Sequence, residues 1–447
     1  MTGPTSREPR PSILLPGSLH PLGYRNFALY WLGFAASNTG KNIELIGAVW
    51  LVSELTDSPL LLGLLGIARA VPVLILSPIA GVIVDRVDQR RLLFTTQLLA
   101  LLASATLGIV ILTGLIEPWH VYVEVAAQAA IAAFDAAVRQ ALFPRLVPRS
   151  ALPEAVTLTV TAARSAAFVG PAIGGVAIVV FGVSAPFLMN ATTYLALMLA
   201  VVLLRDVPPL PERAGSSFRR ELLDGLHYMR GTPVMNGLLR LEIAFNILSV
   251  NDVIVTIIGR QILGVGAAGL GGLLSAHALG SLAGVGTVLV LGQTRRQGRF
   301  SILCTIAYAA ALVVFALSRD YTLSFVFLAL SGLMDVLMTV TRNTIMQLTA
   351  PGAMRGRLMA NMRVVTGGVG PLAETQSGVL SSLIGGPLAL ATAAGALALT
   401  AATIGRTSPA LWRFTRDDQH AEDPARSGVR SGRAPSPVTP GDGGAPP

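Results

Sequence analysis

The chain has 447 residues, of which 52% are hydrophobic and only 13% are charged, and its formal net charge is +9 at pH 7. Soluble domains carry about 25% charged residues, so the composition excludes an ordinary soluble domain. The positive charge lies in short loops between apolar segments. This placement argues against a nucleic-acid partner and predicts the lipid bilayer as the surroundings of the chain.

Cysteine occurs once, as Cys304, and of the 33 lysines and arginines only Lys41 is a lysine. A single cysteine excludes an internal disulfide. The strong preference for arginine is typical of GC-rich coding and favours a bacterial source. The first residues are polar and rich in proline, and the first apolar segment is too long for the core of a cleavable signal peptide. We therefore expect that segment to remain as a membrane span.

About twelve apolar stretches follow one another between Tyr24 and Gly405. A membrane-crossing helix needs about 20 apolar residues, so we predict an all-α polytopic membrane protein with twelve transmembrane helices. The predicted spans are 27–53, 60–84, 92–115, 119–143, 153–181, 184–204, 234–258, 266–292, 299–317, 321–349, 358–384 and 386–405.

Five regions follow from these spans. We predict an N-terminal cytoplasmic segment, a six-helix bundle, a central cytoplasmic loop, a second six-helix bundle and a disordered cytoplasmic tail. They cover, in that order, 1–21, 22–204, 205–233, 234–406 and 407–447. Within the central loop, Phe218–Met229 has the pattern of an amphipathic helix at the membrane surface. Residues 417–447 are rich in Pro, Gly, Ser and Arg, which cannot bury a core.

The arginines lie on alternate loops. Loops on one side of the predicted membrane carry 21 arginines, whereas the opposite loops carry only Arg260 and Arg319. Positive residues favour the cytoplasmic side. The asymmetry therefore predicts an even number of spans with both termini in the cytoplasm, and a bacterial inner membrane as the location.

The two halves of the chain resemble each other. Arg139 precedes Pro148 by nine residues, as Arg342 precedes Pro351, and Val-Gly-Pro ends at both Pro171 and Pro371. The offsets are 203 and 200, which one gap of three residues reconciles. Internal repeats of this kind are typical of secondary transporters, whose substrate site lies between the repeats near the membrane midplane.

The loop after the second span is the most specific local motif, and it reads Gly81-Val-Ile-Val-Asp85-Arg86-Val-Asp88-Gln-Arg90-Arg91. Its glycine permits close helix approach, and its charges can pair to hold a gate shut. A plain positive-inside loop is the alternative interpretation. The spacing resembles the signature loop of the major facilitator superfamily, G-x-x-x-D-R-x-G-x-R-R, with Asp88 at the second glycine. That resemblance implies a two-bundle fold with a cytoplasmic gate at this loop.

The resemblance extends over about residues 22–406, and its closer part is to the enterobactin-exporter-like branch, the transmembrane secretion effector family. It rests on Trp50-Leu-Val, Leu55-Thr-Asp-Ser-Pro59, Ala133-Phe-Asp135 and Arg139-Gln-Ala-Leu142. The segment Gly170-Pro171-Ala-Ile-Gly174-Gly175 is similar to the antiporter motif of the fifth span, which implies export. A packing seam of small residues is the alternative interpretation.

Charges inside the first span are costly, about 2.5–3.5 kcal/mol each unless they find a partner or a cavity. Lys41 and Glu44 lie three residues apart near its middle, close enough to pair. We hypothesise that Glu44 carries a proton across the membrane. A static ion pair that holds helices together is the alternative.

Further candidates lie in later spans. Glu242 and Asn246 share one face of the seventh span with Ser249 and Thr256, while Asp335 and Glu374 lie within the tenth and eleventh spans. We expect these residues to line the cavity or to couple protons. Four other side chains are weaker candidates for anion binding or proton transfer, namely Arg69, Arg164, Arg363 and His277.

Asp135 and Arg139 lie four apart towards the end of the fourth span, and we interpret them as partners of Asp85 and Arg86 in the cytoplasmic gate.

These observations predict a monomeric secondary transporter that exports a small organic molecule, such as a siderophore, secondary metabolite or drug-like amphiphile, in exchange for protons. An importer or facilitator on the same fold is the main alternative. A polytopic enzyme or scaffold is more remote, because the sequence has neither a P-loop nor a His-Glu-x-x-His motif. No cofactor and no metal site are expected.

Overall fold

The computed structural model describes residues 17–84, 86–205, 218–291, 294–351 and 354–415. These residues form helices and connections, and none of them lies in a β-strand. The α-helices are α1 (Arg25–Thr56), α2 (Pro59–Val84), α3 (Gln89–Leu112), α4 (Pro118–Leu142), α5 (Leu152–Phe181), α6 (Ala185–Leu203), α7 (Phe218–Gly231), α8 (Pro233–Leu248), α9 (Asp252–Gln261), α10 (Ala267–Leu291), α11 (Gln297–Leu317), α12 (Tyr321–Thr349), α13 (Arg355–Ile384), α14 (Gly386–Thr407) and α15 (Pro409–Arg413). Short 3₁₀ helices lie at Gly17–Gly23, Phe143–Arg145 and Arg149–Ala151.

Ten segments of the described chain are long and apolar enough to cross a membrane. The other two predicted spans correspond to α1 and α13, which have 32 and 30 residues. Charged residues lower the hydropathy of both helices. In α1 these residues include Lys41 and Glu44. Both helices nevertheless pack along the spanning helices, and the fold class predicted from the sequence is confirmed.

Small residues let the helices of each half pack closely. In the first half, Gly33 and Gly47 of α1 lie against Leu197 and Pro186 of α6. In the second half, Gly332 of α12 lies against the backbone of α10. Without a hydrophobic driving force in lipid, close backbone approach supplies much of the packing energy.

Local signals explain where several helices begin and end. The helix α1 ends at Asp57, whose φ of 47° is left-handed, and Pro59 then starts α2. The helix α3 begins at Asp88, whose carboxylate accepts hydrogen bonds from the backbone N–H groups of Arg90 and Arg91 at 2.8 and 3.0 Å. Asp88 therefore caps a helix at the position where the superfamily motif has its second glycine.

The structure corrects the prediction for the seventh span. It consists of two helices, α8 and α9, which are separated by the extended residues Ser249–Asn251. Asn251 caps α9, and the Tyr308 hydroxyl accepts a hydrogen bond from the backbone N–H of Val250 at 3.1 Å. The continuous polar stripe expected from Glu242 to Thr256 therefore does not exist.

The region boundaries need one further correction. The predicted disordered tail began at 407, but α15 is ordered, and its Leu411 is buried against Gly237 and Gly298. Residues 416–447 lie outside the described residues. The predicted amphipathic segment of the central loop corresponds to the helix α7.

The two ends of the bundles differ in the arginine content of their loops. The arginine-rich side holds the loops that follow α2, α4, α6, α10, α12 and α14. The arginine-poor side holds the loops that follow α1, α3, α5, α9, α11 and α13, and it includes Arg319.

Candidate functional site

The helices α2 and α13 join the two halves on the arginine-poor side. A methyl group added at Gly63 of α2 would lie 2.7 Å from Cα of Gly378 in α13. One turn further along α2, Gly66 lies directly against the carbonyl oxygen of Pro371. No larger residue fits at these positions unless the helices move apart. This contact therefore depends on the absence of side chains.

The helices α5 and α10 make the equivalent contact. Gly175 of α5 lies against the backbone of Ala267, and Gly271 of α10 lies against the carbonyl oxygen of Pro171. Pro171 and Pro371 end the repeated Val-Gly-Pro segments, so both copies of the repeat present a proline carbonyl to a glycine of the other half. The arginine-poor side is closed by these two pseudo-equivalent seams.

The same faces separate on the arginine-rich side. On α2, Leu74 and Gly81 lie eleven and eighteen residues after Gly63, which is close to whole turns of a helix. Leu74 is 48% exposed, and Gly81 has no described atom of another segment within 4 Å of where its Cβ would be. On α5, Val160 lies eleven residues before Pro171 and is 54% exposed. Among the described residues, a cleft between the halves is therefore open on the arginine-rich side and closed on the arginine-poor side.

The segment that resembles an antiporter motif packs in two directions. Gly170 and Gly174 lie against Asn42 and Ile46 of α1, while Pro171 and Gly175 face α10 in the seam. The packing interpretation of these glycines thus has a direct structural basis. Their link to export remains a prediction.

Lys41 does not pair with Glu44, contrary to the sequence-based expectation. Its ammonium group lies 3.1 Å from Oδ2 of Asp135, and Nε of Arg139 lies 2.8 Å from the same oxygen. Gln97 donates a hydrogen bond to the other carboxylate oxygen at 2.8 Å. The Glu44 carboxylate instead contacts Ser104 of α3 and Asn190 of α6.

Asp135 and Arg139 therefore belong to a buried cluster with Lys41, and the residues of the α2–α3 loop that the structure describes make no ion pair with them. Asp85 lies outside the described residues. Arg90 donates to the carbonyl oxygen of Val201 at 3.2 Å, which fastens the loop to the end of α6. Arg86 and Arg91 are exposed. The cytoplasmic gate remains a prediction.

Glu44 is buried among helices of the first half. Its carboxylate accepts a hydrogen bond from Ser104 at 2.5 Å and another from Asn190. The carboxyl group of Glu124 in α4 lies within hydrogen-bonding reach of it. Two carboxyl groups can share a hydrogen bond only if one carries a proton. Sequence reasoning missed Glu124, although an acid one turn before Gln128 in an apolar helix was a usable signal.

Arg69 connects the halves through charge. Its guanidinium lies 2.8 Å from a carboxylate oxygen of Glu374, so that this ion pair joins α2 to α13 inside the seam. Asp252 at the start of α9 and Glu124 interact electrostatically with the same arginine. The sequence placed Arg69 and Glu374 among separate candidates, and the structure brings them together.

Among the described residues, the second half holds one further ion pair and one contact between a histidine and a carboxylate. Arg342 pairs with Glu242, and Asn246 donates to the carboxylate of Glu242 at 3.0 Å. In the adjacent pair, His277 Nε2 lies 3.7 Å from Asp335 Oδ2. Both members of the second pair are partly exposed, whereas Glu242 is buried.

A family model described as transmembrane secretion effector matches residues 16–427, a range that includes both bundles. The chain belongs to this family of the major facilitator superfamily. It is therefore a multi-pass membrane transporter of the bacterial major facilitator type and not an enzyme.

Curated relatives of this family member are similar at low identity. The multidrug efflux pump Tap of Mycolicibacterium fortuitum is 25% identical over 372 residues, which cover 79% of this chain and 88% of the relative. The enterobactin exporter EntS of Shigella flexneri is 26% identical over an alignment that covers 63% of this chain and 66% of the relative. The staphyloferrin A transporter of Staphylococcus aureus is 31% identical over an alignment that covers 39% of this chain and 45% of the relative. The chain thus spans nearly all of Tap but about half to two thirds of the other two.

Solved structures share the fold of this transporter. A bacterial homologue of the lysosomal transporter Spinster, in an inward-facing and unoccupied conformation, has a TM-score of 0.64 at 13% identity and covers 87% of this chain and 91% of its own. The nucleoside transporter NupG has a TM-score of 0.66 at 11% identity, and the match covers 88% of this chain and 99% of NupG. At such identities the likeness concerns the fold alone.

Proposed function

We propose that this transporter exports a small organic molecule in exchange for protons by alternating access. The cargo class is a siderophore, a secondary metabolite or a drug-like amphiphile. Relatives named as an efflux pump and as exporters favour this direction. The protein acts as a monomer in the inner membrane, with both termini and the arginine-rich side in the cytoplasm.

With this orientation, the cleft opens to the cytoplasm, where an exporter takes up its cargo. The seams made by Gly63, Gly66, Gly175 and Gly271 then form the closed extracellular side. Rocking one half against the other would open the seams and close the faces that carry Gly81. That second closure would bring the predicted gate loop against the opposite half.

One observation carries the proposal for proton coupling, namely a row of carboxyl groups around a single arginine. Glu44 contacts Glu124, and Arg69 interacts with Glu124, Glu374 and Asp252. Three acids, Glu124, Glu374 and Asp252, therefore face one permanent cation in the membrane interior, and Glu44 joins them through Glu124. An unpaired charge there costs several kcal/mol, so some of these acids must hold protons.

The row continues in the second half, because Asp252 interacts electrostatically with His277, which lies beside Asp335. Titratable groups thus extend from α1 to α12 beneath the closed side. In the closed arrangement, Glu374 is paired with Arg69. Opening the seam separates α2 from α13, and a carboxylate that loses its cation must bind a proton or reach water. When the seam closes, the Glu374 carboxyl group releases that proton and pairs with Arg69 again.

Direction is tested by mass spectrometry of cells and medium from the native strain, a deletion strain and its complemented form. A compound retained in the deletion strain and missing from its medium supports export and identifies the cargo. A compound left unconsumed in the medium would establish import instead.

Coupling is tested in everted membrane vesicles with the compound so identified. Its addition should dissipate an imposed proton gradient in the wild type. Glu44→Gln, which cannot ionise and keeps one of the two accepting oxygens, should abolish this exchange while the protein remains inserted. Normal gradient-driven transport by that variant would remove Glu44 from the mechanism. Glu117→Gln, at an exposed helix start on the arginine-poor side, is the matched control.

A further inference from the structure

The accessible charges of the cleft differ from the buried ones. Glu44 and Glu124 are each 6% exposed and Glu374 is 8% exposed, so these three acids of the row lie behind the walls. The side chain of Lys41 is 34% exposed. A molecule in the cleft therefore meets bases more readily than acids on the wall formed by the first half.

The exposed part of Lys41 faces the cleft and not the lipid. Leu32 lies nine residues before Lys41, which places it about 180° away around the helix. Leu32 is 61% exposed on the outer surface beside α6. Lys41 therefore points towards the interior of the protein, where it contacts Asp135 of α4.

Arg164 of α5 lies on the wall of the same cleft. It precedes Pro171 by seven residues and Gly175 by eleven, so it shares the helix face that closes against α10 further along. The lipid-facing stripe of α5, which includes Val169 and Val176, lies about 120–140° away around the helix. Four residues before Arg164, Val160 is open to the cleft at 54% exposure.

The two bases lie at neighbouring depths. The helices α1 and α5 run parallel, with Asn42 beside Gly170 and Ile46 beside Gly174. Lys41 is therefore level with residue 169 of α5, five residues beyond Arg164. At 1.5 Å per residue this is a difference in depth of about 8 Å, within the combined reach of the two side chains.

The charge on this wall is not balanced by acids. Asp135 is shared between Lys41 and Arg139, so one carboxylate serves two cations. Among the residues that the structure describes, Arg164 has no acidic side chain within ion-pair distance. On the opposite wall, Arg342 and Glu242 balance each other, and Asp335 lies beside His277. The first half therefore presents a net positive wall to the cleft.

We infer that Lys41 and Arg164 form a subsite for an anionic group, such as a carboxylate, sulfonate or phenolate, on an amphiphilic organic cargo. This inference rests on the proposed function and specifies its substrate class. Asp335, the acid beside His277 on the other wall, does not offset two bases on the first. Apolar parts of the cargo would contact the exposed apolar side chains of α2 and α5.

The test is equilibrium binding to the purified, full-length protein in lipid nanodiscs, measured by fluorescence polarisation. The probes are fluorescein, an anion, and rhodamine 6G, a cation with the same xanthene ring system. Saturable binding of fluorescein in preference to rhodamine 6G is expected. Arg164→Gln and Lys41→Gln should each weaken fluorescein binding about tenfold or more, as loss of a charge-assisted hydrogen bond does.

Matched variants separate the subsite from general charge and from misfolding. Arg164→Lys and Lys41→Arg keep the charge and should lose less affinity than the glutamine variants. Arg240→Gln removes an exposed arginine of α8 in the other half and should leave binding unchanged. Thermal unfolding of each variant in the nanodisc identifies any that misfold, and Arg164→Gln alone suffices if Lys41→Gln is lost.

Three results would overturn the inference. They are preference for rhodamine 6G, no saturable fluorescein binding, and an affinity of folded Arg164→Gln equal to that of the wild type. Binding is measured without any gradient, so it does not depend on direction or coupling. A protein that imports its cargo, or that is not driven by protons, would still bind fluorescein if the subsite is correct.

Discussion

The two ends of α2 and α5 have the same helical faces but opposite surroundings. At the arginine-poor end, Gly66 and Gly175 meet backbone of the other half, and the ion pair of Arg69 lies in the seam. At the arginine-rich end, no described atom of the other half lies within 4 Å of where the Cβ of Gly81 would be. The difference indicates that small residues and one buried charge pair hold the arginine-poor side closed. The equivalent surfaces on the arginine-rich side are apart in this conformation.

The largest effect is expected from the charge pair. Glu374→Gln removes the carboxylate that pairs directly with Arg69, which costs about 3 kcal/mol or more in a buried site. The arginine-poor side should open, because separation lets the guanidinium reach water. Spin labels are attached at the exposed residues Glu54 and Arg319, one in each half. The distance between them, measured by double electron–electron resonance, should lengthen. An unchanged distance distribution would show that the ion pair is not part of the closure. Glu117→Gln serves as the control.

The seam is tested next by a larger residue at a glycine. Gly66→Leu places a side chain against the Pro371 carbonyl and should cost about 1–3 kcal/mol by overpacking, which shifts the equilibrium towards opening of the arginine-poor side. Gly81→Leu, on the same helix, has free space in this arrangement and should instead hinder closure of the arginine-rich side. The label pair should therefore lengthen in the first variant and not in the second. Equal behaviour of the two variants would contradict the comparison.

A smaller effect is expected at the predicted gate loop. Asp85→Asn removes a charge whose pairing would hold the arginine-rich side shut, and exposed pairs contribute at most about 1 kcal/mol. Cysteines introduced in the cleft of a Cys304→Ala background should become more accessible from the cytoplasm. Asp88→Asn is the control, because asparagine keeps the cap of α3. Unchanged labelling in Asp85→Asn would mean that the loop only sets topology.

The smallest effect is expected at the rim of the closed side. Arg260 donates to the Ser53 hydroxyl at 2.6 Å, and its guanidinium lies 5.0 Å from the centre of the Trp50 ring. Arg260→Gln should weaken closure by about 0.5–1 kcal/mol, the contribution of an exposed cation–π contact. The label pair should report a few-fold rise in the open fraction. Ser53→Ala removes the hydrogen bond alone and should have less effect; a greater effect would assign the contact to the hydroxyl.

Sequence reasoning succeeded where the signal was local. The spans followed from runs of apolar residues, the loop motif and the Val-Gly-Pro repeats indicated the family, and costly charges marked Lys41, Glu44, Glu242, Asp335 and Glu374 as unusual. It failed at the break between α8 and α9, because Ser249 and Asn251 do not interrupt the hydropathy of the span. It also failed for the start of the tail, where Leu411 finds a buried position between helices.

The sequence by itself determined the number and order of the membrane helices, the alternation of arginines between the two sides and the presence of charges within the spans. Only the tertiary structure decided which charges meet. Lys41 pairs with Asp135 across 94 residues and Arg69 with Glu374 across 305. Helical periodicity fixes the face on which a side chain lies, but its partner depends on which helix packs against that face and at what depth.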